Sequence, residues 1–495
     1  MRGMEILEAL DFIDGKYINE AKTNDYISEI KKEEKRFKIP LANKKWLSPV
    51  AAILAVVILS LHFLLVGQGY AFFGGVKALA SAEYPVMTAF PDVNDPQTDF
   101  LKQYKKWRED LDLQESYFGY GKGLDKFIMD SAEAFLSDKS GENTVYSPMN
   151  IYMTLSMIAE MSRGETRTQA LSVLKCNNIY DLRNQTNAIW NANYRDDGIV
   201  KSVLASSLWL NNKIEYDPYI VSVLANKYYA SVFEGKMGSS EYKREYYSWL
   251  NQQTGGLFMD QLASEPFNKG SVMTIASTIS YEAKWMQEFS DSRTETGYFN
   301  TEYGSVKCEY MSKTDTQGRY FWGNGFTATS KPLKDSGSVY FILPNEGTSV
   351  RELLKSEEAL RFIASDGKWE NMQKLTIELN VPKMDVASHM DIREALSKMG
   401  VTDCFDKDKA DFSSVTDSSY NGKGLYITDA EHGVRVCINE EGCTGTAFTS
   451  ASDNDQPVSE EAEMTFTIDK PFIFVITGAD GLPLFIGTVY QPITQ

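Results

Sequence analysis

Histidine and cysteine are the side chains best suited to nucleophilic or metal chemistry, and this 495-residue chain holds three of the first and five of the second. His62 lies in an apolar run, so a Ser-His or Cys-His hydrolase would have to be built on His389 or His432. Neither neighbours a nucleophile motif, and both read as structural. Cys176, Cys308, Cys404, Cys437 and Cys443 form no C-x-x-C pair and no disulfide framework, which removes the motifs of zinc and redox sites. Cys437 and Cys443 read as small-residue packing. Asp403, Asp406, Asp408 and Asp411 have calcium-like spacing but lack the EF-hand glycine and the closing glutamate. No P-loop, GxGxxG, HExxH or GxSxG occurs. The expectation is a protein that is not an enzyme, with no catalytic residue, no metal and no cofactor.

What remains is a stretch unusually poor in large side chains. In "NEEGCTGTAFTSAS", Asn439–Ser452, Phe448 is the only large side chain from Cys443 onward. Alternate residues of a strand face opposite sides, so Cys443, Gly445, Ala447, Thr449 and Ala451 would share one uniformly small face. Thr444, Thr446, Phe448, Ser450 and Ser452 would share the other. No proline interrupts Glu440–Gln456, so every residue there can donate to a sheet ladder. About fifteen such bonds at about 1 kcal/mol net each would release on the order of 15 kcal/mol, which rivals the whole stability of an ordinary domain. A flexible Ser/Thr/Gly linker is the alternative.

The elements around this ribbon mix helices and strands. In "NTVYSPMNIYMTLSMIAEMSRGETRTQALSVL", Asn143–Leu174, a strand end is followed by a helix that Pro148 can start. Ile151, Leu155, Ile158 and Ala159 give that helix an apolar stripe. Gly164 stops it, and Thr166 with Gln169 is expected to form a capping box for the next. Alternating runs such as "KSVLASSLWLNN", "GSVYFILPN" and "QKLTIELNVPK" read as strands, and the chain ends strand, strand, Ala-Asp-Gly turn, strand. The fold class is α+β, in one large domain.

The composition, 43% hydrophobic and 12% aromatic, is globular, and a net charge of -18 argues against a protein that grips nucleic acid. Trp46–Val76 holds no Lys, Arg, Asp or Glu, and its centre "PVAAILAVVILSLHFLLV" is close to the length that spans a bilayer. Lys31–Lys45 is strongly basic while Lys77 is the lone charge before Glu83, so the N-terminus is expected to stay in the cytoplasm. The predicted organisation is a cytoplasmic tail over 1–45, a transmembrane helix over 46–68, an extracellular juxtamembrane spacer over 69–115 and a body over 116–495. Within the spacer, "DFLKQYKKWREDLDLQES" reads as an exposed charged helix.

The body, from about Tyr117 to Pro492, resembles the serpin family of serine protease inhibitors. "NTVYSPMNI" at 143–151, "YEAKWMQEF" at 281–289, "VPK" at 381–383, "MGVTDCFDKDKADFS" at 399–413, "EHGVRVCINEEG" at 431–442, "DKPFIFVI" at 469–476 and "FIGTVYQP" at 485–492 follow in the family's order. The resemblance implies large, mainly antiparallel sheets, about eight to nine helices and an exposed reactive loop, here 440–466. A protease cuts the loop and is trapped as its acyl-enzyme while the loop enters the central sheet as a new strand. Glu440, Glu441, Gly442, Cys443, Thr444, Gly445, Thr446 and Ala447 match the hinge, with Cys443, Gly445 and Thr446 departing from the usual residues. Lys383 and Glu440 match a pair at the top of the sheet beside Trp285. Ser147, Asn150, Ser277 and His432 match the region where the sheet opens, with Asn150 standing where Ser is usual and Ser277 where Asn is usual.

The bait has no Lys or Arg between Glu440 and Asp469, which disfavours trypsin-like targets. "QPVSEE" at 456–461 resembles the family's Pro-apolar-Ser arrangement, so Val458-Ser459 is the first choice of scissile bond, suited to elastase-like or subtilisin-like enzymes. Glu460 or Glu461 would select a Glu-specific protease, and family counting points to Gln456, where Pro457 should block cleavage. The expected protein is a monomeric, single-pass membrane serpin of bacterial type with its inhibitory body outside the cell. A non-inhibitory serpin, acting as a carrier or a sacrificial substrate, is the second reading.

Overall fold

Strand-forming runs, some alternating and others such as Phe472–Thr477 and Pro483–Val489 buried throughout, build two nine-stranded sheets among the described residues, with strands numbered along the chain. In the first, β1 (Phe72–Phe73), β2 (Val76–Ala80), β6 (Ala230–Gly235), β5 (Val200–Asn211), β7 (Met273–Lys284), β15 (Gly442–Thr444), β14 (Ile427–Ile438) and β13 (Met384–Asp391) lie in that order, with β4 (Arg195–Asp196) also paired to β5. The second runs β16 (Met464–Thr467), β12 (Met372–Pro382), β9 (Gly304–Gly323), β10 (Phe326–Pro332), β11 (Ser338–Pro344), β17 (Phe472–Thr477), β18 (Pro483–Val489) and β3 (Thr144–Tyr146), with β8 (Thr294–Thr301) paired to β9. Most pairings are antiparallel; β5 with β6, β7 with β14 and β12 with β16 are parallel. The structure is a computed structural model that describes residues 72–73, 75–92, 99–139, 141–254, 272–416, 424–444 and 463–492.

Ten α-helices occur among the described residues, from α1 (Phe100–Glu115) to α10 (Arg393–Lys398), against the eight to nine expected. Helix α3 (Pro148–Met161) begins as its sequence dictates, with Pro148 in the first turn and the Ser147 hydroxyl accepting from the Asn150 N–H. Every residue of α3 is buried, so the stripe read from the sequence understates a helix enclosed on all sides. The expected capping box after it does not form. Helix α4 (Gly164–Val173) starts at Gly164, whose φ of 53° suits a residue without a Cβ. Thr166 and Gln169 instead accept bonds from the backbone of Asp411 and of Thr402 and Asp403.

Residues 69–115 do not stand apart as a spacer where they are described, and Gly69–Gln495 forms one compact unit. Strand β2 pairs antiparallel with β6, from Val76 opposite Gly235 to Ala80 opposite Val232, and Lys77 meets Glu234 at 3.2 Å. Helix α1 is charged overall, yet Trp107, Leu111 and Gln114 are buried at i, i+4 and i+7. Trp107 Nε1 donates to Asp197 at 2.7 Å, and Asp197 is paired at 2.7 Å with the buried Arg195. Gln114 donates to the carbonyls of Ala192 and Tyr194, while the Tyr84 ring lies 5.4 Å from that of Trp190. This thin stripe, masked by lysines and acids, is why the helix read as exposed.

Among the described residues no helix is long and apolar enough to cross a membrane. The expected tail 1–45 and span 46–68 lie outside the described residues.

Candidate functional site: a sheet seam and the loop that enters it

The residues singled out in sequence gather at two heights of one seam, between β7 and β14. These strands pair in parallel from Ile427 opposite Met273 up to Gly433 opposite Thr278. Above that they diverge, and the hinge occupies the fork. β15 pairs antiparallel with both: Gly442, Cys443 and Thr444 face Lys284, Ala283 and Glu282 of β7, while Cys443 and Thr444 face Ile438 and Cys437 of β14. Between wedge and closed seam, Ile279–Tyr281 and Val434–Val436 have no partner across the seam among the described residues.

Local chemistry fixes the wedge. Asn439 makes an Asx turn, its side-chain oxygen accepting from the N–H groups of Glu441 and Gly442 at 3.1 Å. A Cβ at Gly442 would collide with the Ala283 carbonyl and with Lys284, so only glycine fits there. Cys443 is free and turned into the core at 1% exposure, and burial pushes its thiol well above the ordinary range. Trp285 holds the turn twice, with its backbone N–H on the Glu441 carbonyl (2.9 Å) and Nε1 on the Asn439 carbonyl (2.8 Å). Phe289 N–H donates to the Glu440 carbonyl. The Glu440 carboxylate sits 3.3 Å from Lys383 and accepts from Thr294 Oγ1 at 2.8 Å, while Glu309 shares Lys383 at 3.2 Å. Burial opposes the charge on Lys383, but the two carboxylates prevail and hold its pKa above the usual value.

The second cluster sits where the closed seam ends. His432 and Ser277 are direct cross-strand partners, one rung below Gly433 and Thr278. His432 is fully buried, and desolvation lowers its pKa to about 3, so the ring is neutral. The Ser147 N–H donates to Nε2 at 2.9 Å, which places the ring proton on Nδ1, facing Ser277 Oγ at 2.9 Å. That tautomer cannot take a proton from Ser277, so this buried Ser-His pair has no hydrolase geometry. Asn150 Nδ2 donates to the Thr278 carbonyl at 2.5 Å and its Oδ1 accepts from Ser147 Oγ. The Asn150 and Ser277 departures thus leave this network satisfied.

The other candidates are structural. His389 contacts Glu431 at 3.2 Å, and Glu431 also accepts from Tyr246. Asp406 and Asp411 accept from their own turns, at Asp408 and Ser413. Gly445, Thr446, Ala447, Gln456, Val458, Ser459, Glu460 and Glu461 lie outside the described residues. Sequence reasoning missed Asn439, Thr294 and Glu309. Only Asn439 carried a local signal, as an Asn one residue before a two-acid turn.

The fold and the site are thus a two-sheet body in which Gly442–Thr444 pairs with both strands at the fork of the central seam. The family model described as serpin (serine protease inhibitor) matches residues 122–492, and the chain belongs to that family. Its members are in general inhibitors of serine proteases rather than enzymes. Serpin-ZX of Arabidopsis thaliana is 26% identical over 368 residues, covering 71% of this chain and 92% of that relative. The thermophilic serpin tengpin in its native state matches with a TM-score of 0.64 at 24% identity, over 74% of this chain and 94% of that one. Human thyroxine-binding globulin matches with a TM-score of 0.64 at 20% identity, over 77% and 100%. These structural likenesses speak to the fold.

Proposed function

We propose that this chain is a suicide-substrate inhibitor of serine proteases whose cleaved reactive loop enters the seam between β7 and β14. The wedge at Gly442–Thr444 carries the reading. Its registers, prolonged, set Gly445, Thr446 and Ala447 opposite Tyr281, Ser280 and Ile279 on one side and Val436, Arg435 and Val434 on the other. Ile279, Tyr281, Val434 and Val436 are buried, as is Cys443, so Gly445 and Ala447 would join the core-facing side. Phe448 would be the first to reach a closed pair, Thr278 with Gly433, with its ring on the outer face. There Ser147, Asn150, Ser277 and His432 act as the sheet-opening switch, since entry beyond that rung separates the strands they tie together. Trp285 and Lys383 hold the hinge in its resting place.

Val458-Ser459 is the proposed scissile bond, for an elastase-like or subtilisin-like target, with Glu460 or Glu461 next and Gln456 last. Residues 46–68 anchor this bacterial-type serpin in the cell membrane with the tail in the cytoplasm and the body outside, supported by the apolar run and its asymmetric basic flank. The inhibitor acts as a monomer.

A form starting at residue 69 keeps the packed strands and α1 that a start at 116 would lose. Mixed with elastase or subtilisin it should give a complex that survives denaturing gels and a released fragment starting at Ser459. A fragment starting at Glu461 or Ala462 would move the target to a Glu-specific enzyme. Cleavage without a complex, and without a rise in thermal stability, would discard inhibition and favour the carrier or sacrificial reading. The full chain should stay with membranes after alkaline carbonate extraction; recovery in the supernatant would refute the anchor.

A further inference from the structure

Behind the hinge anchor lies a feature that loop insertion does not use. Lys331, near the end of β10, is 4% exposed, and its ammonium packs on the rings of Phe289 (4.5 Å) and Trp285 (5.7 Å). Among the described residues no carboxylate lies within ion-pair distance of it and no hydrogen bond holds it, although a buried cation ordinarily requires a counter-charge. Beside it opens a cavity of about 320 Å³, within the range of small-molecule sites. Three cations line the cavity, Lys331, Arg319 and Lys374, against one carboxylate, Asp315.

The cations differ in availability. Arg319 leans over the rings of Phe321 and Tyr340, and Lys374 is exposed, which leaves Lys331 as the buried donor with protons to give. Asp315 accepts from the Gln317 N–H at 2.9 Å, and its charge offsets only part of what burial and Lys313 do to Lys331, whose pKa still lies below the usual value. The amides of Gln287 and Gln317 add neutral donors to the lining, and Met286 and Pro332 add an apolar wall. Burial and the neighbouring Lys313 lower the Lys331 pKa to about 8, so an anion that restores its charge would bind with proton retention.

We propose that this cavity binds a small oxyanion-bearing molecule, a phosphate or sulfate ester or a carboxylate, whose anionic group pairs with Lys331. The occupant would bridge β10 to the Met286-Gln287 segment, which already donates the Met286 N–H to the Pro332 carbonyl and directly follows the tryptophan that holds the hinge. Ligand and protease reaction would then be linked, because one segment carries both. The site stands independently of the inhibitory reading.

The test uses the full chain in detergent, with sodium sulfate and succinate as probes at constant ionic strength against chloride. Saturable binding of either probe at pH 7 is expected, and the tighter of the two assigns the ester or the carboxylate class. Lys331→Met, close to isosteric, should weaken binding roughly tenfold or more. Sulfate does not titrate near pH 8, so its affinity should fall roughly tenfold per pH unit above the Lys331 pKa of about 8. A readout without a variant is acetylation of Lys331 by acetic anhydride, mapped by mass spectrometry, which sulfate should slow and chloride should not. Absence of saturable binding by both probes overturns the proposal. So does unchanged affinity in Lys331→Met, or, if that variant does not fold, acetylation of Lys331 indifferent to sulfate.

Discussion

At the outer edge of the first sheet β2 lies against β6, and the chain after it is nailed down by Trp107, Asp197, Arg195 and Gln114. At its centre β7 and β14 share six rungs and then part around a three-residue wedge. Both places present the same physical problem, strand N–H and C=O groups that need a neighbour to bond to. At the edge an upstream segment of the same chain meets those of β6. In the seam, Ile279–Tyr281 and Val434–Val436 have no cross-seam partner among the described residues, and the polar groups at its closed end are few and buried. On the proposed reading, equal chemistry gives a permanent border in one place and a conditional one in the other.

Four substitutions can break or sharpen this contrast. Asp197→Ala strips the edge of the acceptor shared by Arg195 and Trp107, and an uncompensated buried arginine should cost about 3–5 kcal/mol in thermal or denaturant unfolding. The partition of protease between trapped and released should stay constant in that variant; if it moves, edge and seam are coupled and the contrast fails. Gly445→Arg should do the reverse, leaving resting stability intact while the trapped fraction falls roughly a hundredfold, because an unpaired charge would have to enter the core-facing side. Unchanged trapping would contradict the face assignment.

His432 tests the latch through pH. Its folded pKa, about 3, lies below the ordinary 6.5, so under pH 6.5 the unfolded chain takes up a proton that the folded one refuses. Its contribution is therefore complete above pH 6.5 and declines as pH falls toward 3, by about 2 kcal/mol at pH 5. His432→Gln should start less stable and lose that part of the acid dependence; parallel profiles would remove His432 as its source. The smallest effect belongs to Lys383→Met. With Lys383 at 30% and Glu440 at 12% side-chain exposure, the pair should contribute no more than about 1 kcal/mol to holding the hinge, read as a modest change in complex-formation rate.

Much of the seam was legible because its signals are local or belong to a resemblance. The alternation through Cys443 gave a face that the buried thiol now occupies, and His432, Ser147, Asn150 and Ser277 do meet. Other features depended on partners far away in sequence. Trp107 finds Asp197 ninety residues on, and nothing in a helix rich in lysine and acid announces that. Thr166 and Gln169 obeyed a local capping rule on paper but were claimed by the 402–411 loop, where tertiary bonds outcompeted a helix end. Lys331 sits in a strand whose pattern, "FTATSKP", gives no sign that its cation is enclosed.

Cys443 gives the hinge a chemical clock. A thiol held in the core, with its pKa raised by burial, is a poor nucleophile toward alkylating reagents. Each excursion of the wedge out of the fork would bring that sulfur into water, and among the described residues the cysteines at 308 and 404 stay enclosed in other parts of the core. The rate of iodoacetamide labelling at Cys443 therefore counts the time the hinge spends outside the sheet, without any protease and without any mutation. On the proposed inhibitory reading, that thiol records how often the hinge lets go.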